Sequence, residues 1–218
     1  SMPVAKALAA KSLEAGADAI ASMAPCFFRP ASMDLLIPYL QEICSAAPEL
    51  PFYFYDIPVM THVELSMIEL LERAKTELPS LAGLKFTNGN LMDLQSLLRV
   101  DPDRYNILFG FDEMLSAAWL YGVRGAVGST YNHFAKLYNA IADSVESGDT
   151  AKTQELQNLS VNIIRAFQKP GFAAASKEAM AFLGVDCGTV RLPLRPLTDS
   201  QRTELQQSLE SLGAMDWA

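Results

Sequence analysis

The chain has 218 residues, half of them hydrophobic, and carries 17 Lys and Arg against 25 Asp and Glu for a net charge of −8. A chain this long and apolar can bury a sizeable core, which argues against disorder. Acidity without a basic run makes nucleic acid or an anionic membrane a poor partner, and no apolar stretch reaches the roughly 18 residues of a membrane span.

In chain order, an Ala-rich N-terminal segment predicts a helix that Gly16 ends at its C′ position. A strand is expected within Ala17–Pro25 (ADAIASMAP), and Ser32 then caps a helix running to about Ala46. PFYFYDIP, residues 51–58, is an aromatic run bounded by prolines and predicts a strand. A helix over about 64–78 precedes the strand LAGLKFT at 81–87, and Asn90 caps a helix to about Val100. NILFGFD at 106–112 predicts another strand, followed by a helix over about 113–121, and GAVGST at 125–130 a fifth strand. Beyond it the chain reads as helices at about 134–147, 150–169, 173–183 and 199–212.

Short apolar strands alternating with helices predict a parallel α/β architecture. Residues 1–133 are expected to form five βα units, and 134–218 the last such helix with a helical extension of the same domain. The polar residues Tyr55, Lys85, Thr87, Asp112 and Ser129 all fall at strand C-termini, where (β/α)8 barrels build their sites. No GxGxxG or GxxxxGK[ST] follows a strand, which disfavours a doubly wound nucleotide-binding sheet. Five strands fall short of the eight that close such a barrel.

Lys85 is the conspicuous residue. Gly83, Lys85 and Thr87 share one face of their strand, and Leu84 and Phe86 share the other. Burial disfavours the charged form of an amine, and a neutral enclosed amine is a Schiff-base nucleophile for a carbonyl substrate. A lysine that snorkels or pairs with a carboxylate is the alternative. Tyr55 could relay protons beside it or simply pack as an aromatic with a satisfied hydroxyl. Asp112 and Glu113 in GFDEM sit where carboxylates favour a helix start, but they could also accept hydrogen bonds from sugar hydroxyls. Gly128 in GAVGSTYN would let backbone approach a ligand, or serve a tight turn. His62 and His133 show no metal or triad spacing and are expected on the surface or in loops. Cys26, Cys44 and Cys187, widely spaced and without CxxC, are expected to be reduced thiols in a cytoplasmic protein.

YDIP, GLKFTNGN, GFDE and GSTYN, in this order and spacing and with RLPL at 191–194, resemble the N-acetylneuraminate lyase group of the class I aldolase superfamily of dihydrodipicolinate synthase. The resemblance implies a TIM barrel, here about its strands 4–8 with a C-terminal helical extension, usually assembled as a homotetramer and using no metal or organic cofactor. It implies that Lys85 forms a Schiff base with pyruvate and that Tyr55 is the proton-relay phenol. Thr87, Gly110, Asp112, Glu113 and Ser129 would bind the hydroxylated tail of the sugar acid. The implied reaction is cleavage of N-acetylneuraminate (sialic acid) to N-acetylmannosamine and pyruvate. YDIP is followed by Val59, Met60, Thr61 and His62, without the arginine that serves the dicarboxylate in dihydrodipicolinate synthases.

Three features depart from the family pattern. YDIP stands where YNIP is commoner, Phe111 stands where some lyases have tyrosine, and no GTTGE-like motif for the pyruvate carboxylate occurs. The family's first three strands would precede Ser1, and would be supplied by a longer chain or by a second one. The alternatives left open are a lyase for another 2-keto-3-deoxy sugar acid, a dihydrodipicolinate-synthase-like enzyme, and a catalytically dead module for binding or oligomerisation.

Overall fold

The computed structural model describes residues 1–218, which form two compact units. The first comprises residues 1–110 and 121–127, and the second residues 111–120 and 128–218.

The first unit begins with helix α1 (Met2–Glu14), stopped by Gly16 at φ +77°. The Gly16 and Ala17 amides return to the carbonyls of Leu13 and Ser12, as a left-handed C′ residue permits. Strand β1 (Ile20–Met23) follows, then α2 (Met33–Cys44), β2 (Phe52–Asp56), a short turn of helix α3 (Pro58–Thr61), α4 (Met67–Glu77), β3 (Leu81–Phe86), α5 (Leu91–Leu97) and β4 (Asn106–Phe109). The four strands are all parallel and lie in sequence order.

The two-residue period of the strands divides the unit. Phe52, Phe54, Leu84, Phe86, Ile107 and Phe109 are all buried. So are Leu36, Ile37 and Leu40 of α2, Leu70, Leu71 and Ala74 of α4, and Leu94 and Leu97 of α5, which supply the apolar helix faces that cover such a sheet. The other strand face carries Tyr53, Tyr55, Lys85 and Leu108, all only half-buried. Ser66 caps α4 through the Glu69 amide and Asn90 caps α5 through the Asp93 amide, the latter as expected.

The fifth expected strand is reduced to one bridge. Ala126 pairs with Phe109, with hydrogen bonds from the Phe109 amide to Gly125 and from the Val127 amide to Phe109. Two glycines weaken strand formation in this segment.

In the second unit a 3-10 turn (Asp112–Met114) leads into α6 (Leu115–Tyr121). Helices α7 (Tyr131–Glu146), α8 (Thr150–Gln168), α9 (Phe172–Phe182) and α10 (Asp199–Ser211) follow, in the segments expected to be helical. Phe134, Leu137, Ile141, Leu156, Ile163, Phe167, Leu205 and Leu209 build its core. Asp149 caps α8, and Thr198 with Gln201 forms a capping box on α10. Non-helical backbone at Phe134 kinks α7, so regular helix begins where the sequence places it, after one preceding turn. No helix is long and apolar enough to cross a membrane.

Candidate active site

Register brings Tyr55 and Lys85 together. The two residues pair across β2 and β3, on the half-buried face opposite the phenylalanines. Lys85 Nζ lies 4.0 Å from the centre of the Tyr55 ring, within cation–π range. The amine of Lys85 therefore meets an aromatic face rather than a carboxylate. An amine and a phenol end up adjacent because parallel strands in register place equivalent positions side by side.

Thr87 and Gly110 form a second pair in the same unit, at the ends of β3 and β4. Thr87 is 6% exposed, and its hydroxyl has no hydrogen-bond partner. A Cβ at Gly110 would run into that hydroxyl, so glycine there makes the room that Thr87 occupies. The Thr87 amide donates to the Asp56 carbonyl at 2.8 Å and the Gly110 amide to the Phe86 carbonyl at 2.9 Å, which fixes both backbones. An orphaned buried hydroxyl costs about 1–3 kcal/mol, and a bound polar group would recover it.

Asp56, next to Tyr55, points the other way, into the apolar layer. It is 4% exposed and accepts one hydrogen bond from Asn88 Nδ2 at 3.1 Å. Burial pushes its carboxyl up to about 6; the Asn88 hydrogen bond opposes the shift and the Asp93 charge adds to it.

In the second unit Asp112 is buried and Glu113 half-buried in the 3-10 turn, and Ser129 is exposed. Asp112 Oδ2 accepts both the Thr130 amide at 2.8 Å and the Thr130 hydroxyl at 2.5 Å. A Cβ at Gly128 would run into the Asp112 carboxylate. Gly128, read from sequence as room for a ligand or a turn, makes room for a side chain. The Ser129 carbonyl accepts from Asn132 Nδ2 at 3.0 Å.

Behind Thr130 lie Tyr131 and Tyr138, with ring centroids 4.2 Å apart, and Ser160. Burial pushes the Tyr138 phenol up to about 12 and the Tyr131 phenol higher still; the Asp112 charge adds to both shifts. His133, expected on the surface or in a loop, is instead 4% exposed in α7. It packs against Phe134 and Phe167, and its Nε2 lies 2.9 Å from the Ser176 carbonyl. An imidazole whose polar edge finds a backbone partner is readily buried beside aromatics, and spacing in sequence does not reveal that partner. His62 is exposed as expected, and all three cysteines are free. No group of three or more His, Cys, Asp or Glu side chains is arranged to hold a metal ion.

Residues 1–212 match the Dihydrodipicolinate synthetase family. The chain belongs to that family. Among its similar proteins, N-acetylneuraminate lyase A of Xenopus laevis is 40% identical over 196 residues, which cover 89% of this chain and 64% of the relative. N-acetylneuraminate lyase of Mus musculus is 38% identical over 208 residues, covering 94% and 65% respectively. The chain thus spans slightly less than two thirds of the length of these relatives. The solved structure of Proteus mirabilis N-acetylneuraminate lyase superposes with a TM-score of 0.94 at 33% identity, over 98% of this chain and 72% of that one. The parallel α/β fold is therefore that of the dihydrodipicolinate synthetase family.

For this family member, sequence reading missed Asp56 with Asn88, and Tyr138 with Ser160. In the sequence the aspartate of YDIP shows only as a departure from YNIP. Tyr138 and Ser160 lie 22 positions apart on two helices, so no local pattern joins them.

Proposed function

We propose that this chain carries the Schiff-base machinery of a lyase that cleaves N-acetylneuraminate to N-acetylmannosamine and pyruvate. The observation that carries the reading is the Lys85 amine held 4.0 Å from the Tyr55 ring on paired strands. Lys85 attacks the keto carbon of the sugar acid, and loss of water leaves a protonated imine. The imine draws the electron pair as the C–C bond breaks, leaving an enamine, while the Tyr55 oxygen relays the proton from the substrate hydroxyl. Protonation of the enamine and hydrolysis then release pyruvate and restore the amine. No metal or organic cofactor takes part.

Thr87, Gly110, Asp112, Glu113 and Ser129 are assigned to the hydroxylated tail. The orphaned Thr87 hydroxyl supports this for Thr87, and the similarity to lyases of Xenopus laevis and Mus musculus supports the choice of substrate. The strands are read as about strands 4–8 of a (β/α)8 barrel with a C-terminal helical extension, in a cytoplasmic homotetramer. The TM-score of 0.94 to a solved lyase supports the barrel.

The test is to add pyruvate and borohydride and to map the adduct by mass spectrometry. An adduct at Lys85 is expected. A folded chain without one overturns the lyase reading in favour of a binding module, and a panel of 2-keto-3-deoxy sugar acids then checks the substrate.

A further inference from the structure

The second unit contains a run of buried hydroxyls to which the proposed reaction gives no role. Thr130 and Ser160 are 0% exposed, Tyr138 4% and Asp112 6%. Thr130 Oγ1 lies within hydrogen-bond reach of both Asp112 Oδ2 and Tyr138 Oη. Tyr138 Oη in turn lies 2.9 Å from Ser160 Oγ, and Ser160 Oγ lies 3.4 Å from the Asp112 carbonyl.

Counting protons orders this chain. A carboxylate only accepts, so the single Thr130 hydroxyl proton faces Asp112. The contact between Thr130 and Tyr138 must then use the phenol proton, with the Thr130 oxygen as acceptor. Burial keeps the Tyr138 phenol protonated across the working range, so that proton is available. The Tyr138 oxygen then accepts from Ser160, whose one proton goes to this 2.9 Å contact in preference to the 3.4 Å contact with the Asp112 carbonyl, which Gln157 Nε2 also serves at 3.2 Å. Three hydroxyls, from the N-cap of α7, from α7 itself and from α8, therefore donate in one direction, and the donation ends on one oxygen of Asp112. The same oxygen also takes the Thr130 amide, and Gly128 leaves no room for a larger residue beside the carboxylate.

We propose that Tyr138, backed by Ser160, is a positioning residue that locks the Thr130 hydroxyl onto Asp112 and so holds that carboxylate in a single orientation for the hydroxylated tail of the sugar acid. This inference rests on the proposed function only in assigning the tail to Asp112. Tyr138 itself touches no substrate. Without its hydroxyl, Thr130 can rotate and the carboxylate loses its fixed orientation, so binding of the tail weakens while the chemistry at Lys85 is unaffected.

The experiment compares the 218-residue chain with Tyr138→Phe, Thr130→Ser and Thr130→Val. Tyr138→Phe keeps the ring and its packing on Tyr131, and urea midpoints report that each variant is folded. Tyr138→Phe is expected to raise KM for N-acetylneuraminate about fivefold, the size of one neutral hydrogen bond, and Thr130→Val roughly tenfold or more, because its lost bond is to a charge. Thr130→Ser, which keeps the donor, stays near the parent value, and borohydride trapping of pyruvate at Lys85 is equal in all four proteins. A folded Tyr138→Phe variant with unchanged KM overturns the inference, as does a fall in pyruvate trapping that matches the loss of sugar-acid turnover. A parent chain that traps no pyruvate sinks the lyase reading instead. The hydroxyl order is then decided by proton NMR, where a low-field Thr130 hydroxyl resonance must be present in the parent and lost in Tyr138→Phe, and its persistence in that variant counts against the order.

Discussion

Lys85 Nζ sits 4.0 Å above the Tyr55 ring because β2 and β3 run parallel in a register that pairs these two residues. Their roles can be separated by substitution. Tyr55→Phe keeps the aromatic face and removes only the hydroxyl. It is expected to retain pyruvate trapping at Lys85 and to lower kcat for cleavage about 100-fold or more, the usual size of a lost general acid–base group. Lys85→Met abolishes both trapping and turnover. Single-turnover kinetics with trapping as a parallel readout would show whether the phenol acts after the imine has formed.

Thr87→Val removes a buried hydroxyl that has no partner and keeps the side-chain shape. Desolvation of an unsatisfied hydroxyl costs about 1–3 kcal/mol, so the variant is expected to be more stable than the parent by part of that amount. The same change should raise KM for the sugar acid. Urea denaturation together with steady-state kinetics checks both, and a variant that is less stable would contradict the orphaned state of the hydroxyl.

Asp56 makes stability depend on pH. Its folded-state pKa of about 6 lies above an unfolded value near 3.8, so the folded state binds the proton more tightly. The favourable contribution of protonation is present in full below about pH 4 and is lost as pH rises through 6. It is on the order of 3 kcal/mol, taking about 1.4 kcal/mol per unit of pKa. Asp56→Asn does not titrate. As pH falls from 7 to 4, the stability of the parent relative to Asp56→Asn should therefore rise, as followed by urea midpoints at each pH.

Gly128→Ala tests the packing around Asp112. The added methyl meets the carboxylate, so something must shift. Overpacking of this kind costs roughly 1–3 kcal/mol. Denaturation measures the loss, and a variant as stable as the parent would show that the carboxylate is not confined there.

Leu70→Ala probes the apolar layer. Leu70 is fully buried in α4, and truncation should cost about 2–5 kcal/mol without changing where pyruvate is trapped. Urea unfolding and adduct mapping on the same sample check the two halves of that statement.

The layout of strands and helices could be read from the chain because period-two alternation and capping residues are local signals. PFYFYDIP and LAGLKFT show their strands, and Asn90 its helix. GAVGST reads as a strand by composition, yet only Ala126 forms a bridge. Its two glycines weaken the strand, and the Thr130 amide at its end goes to Asp112, 18 positions away, rather than to a neighbouring strand. The burial of His133 and the Tyr138–Ser160 pair are not legible in the sequence for a similar reason, as each is defined by a partner on another element. Lys85 and Tyr55 stood out because a lysine within an apolar strand is rare enough to demand an explanation.

The placement of Lys85 also bears on which changes of length the chain can tolerate. A one-residue deletion before position 85 within β3 would reverse every later side chain in the strand. The amine would then turn into the layer built by Phe52, Phe54 and Phe109, and Phe86 would turn out onto the half-buried face beside Tyr55. Two such deletions would restore the phase but move the lysine two positions back along β2, opposite Tyr53 instead of Tyr55. Insertions and deletions should therefore be confined to the loops flanking β3, and a library of single-codon deletions scanned across residues 78–92 should show a sharp gap in recovered folded variants over the strand.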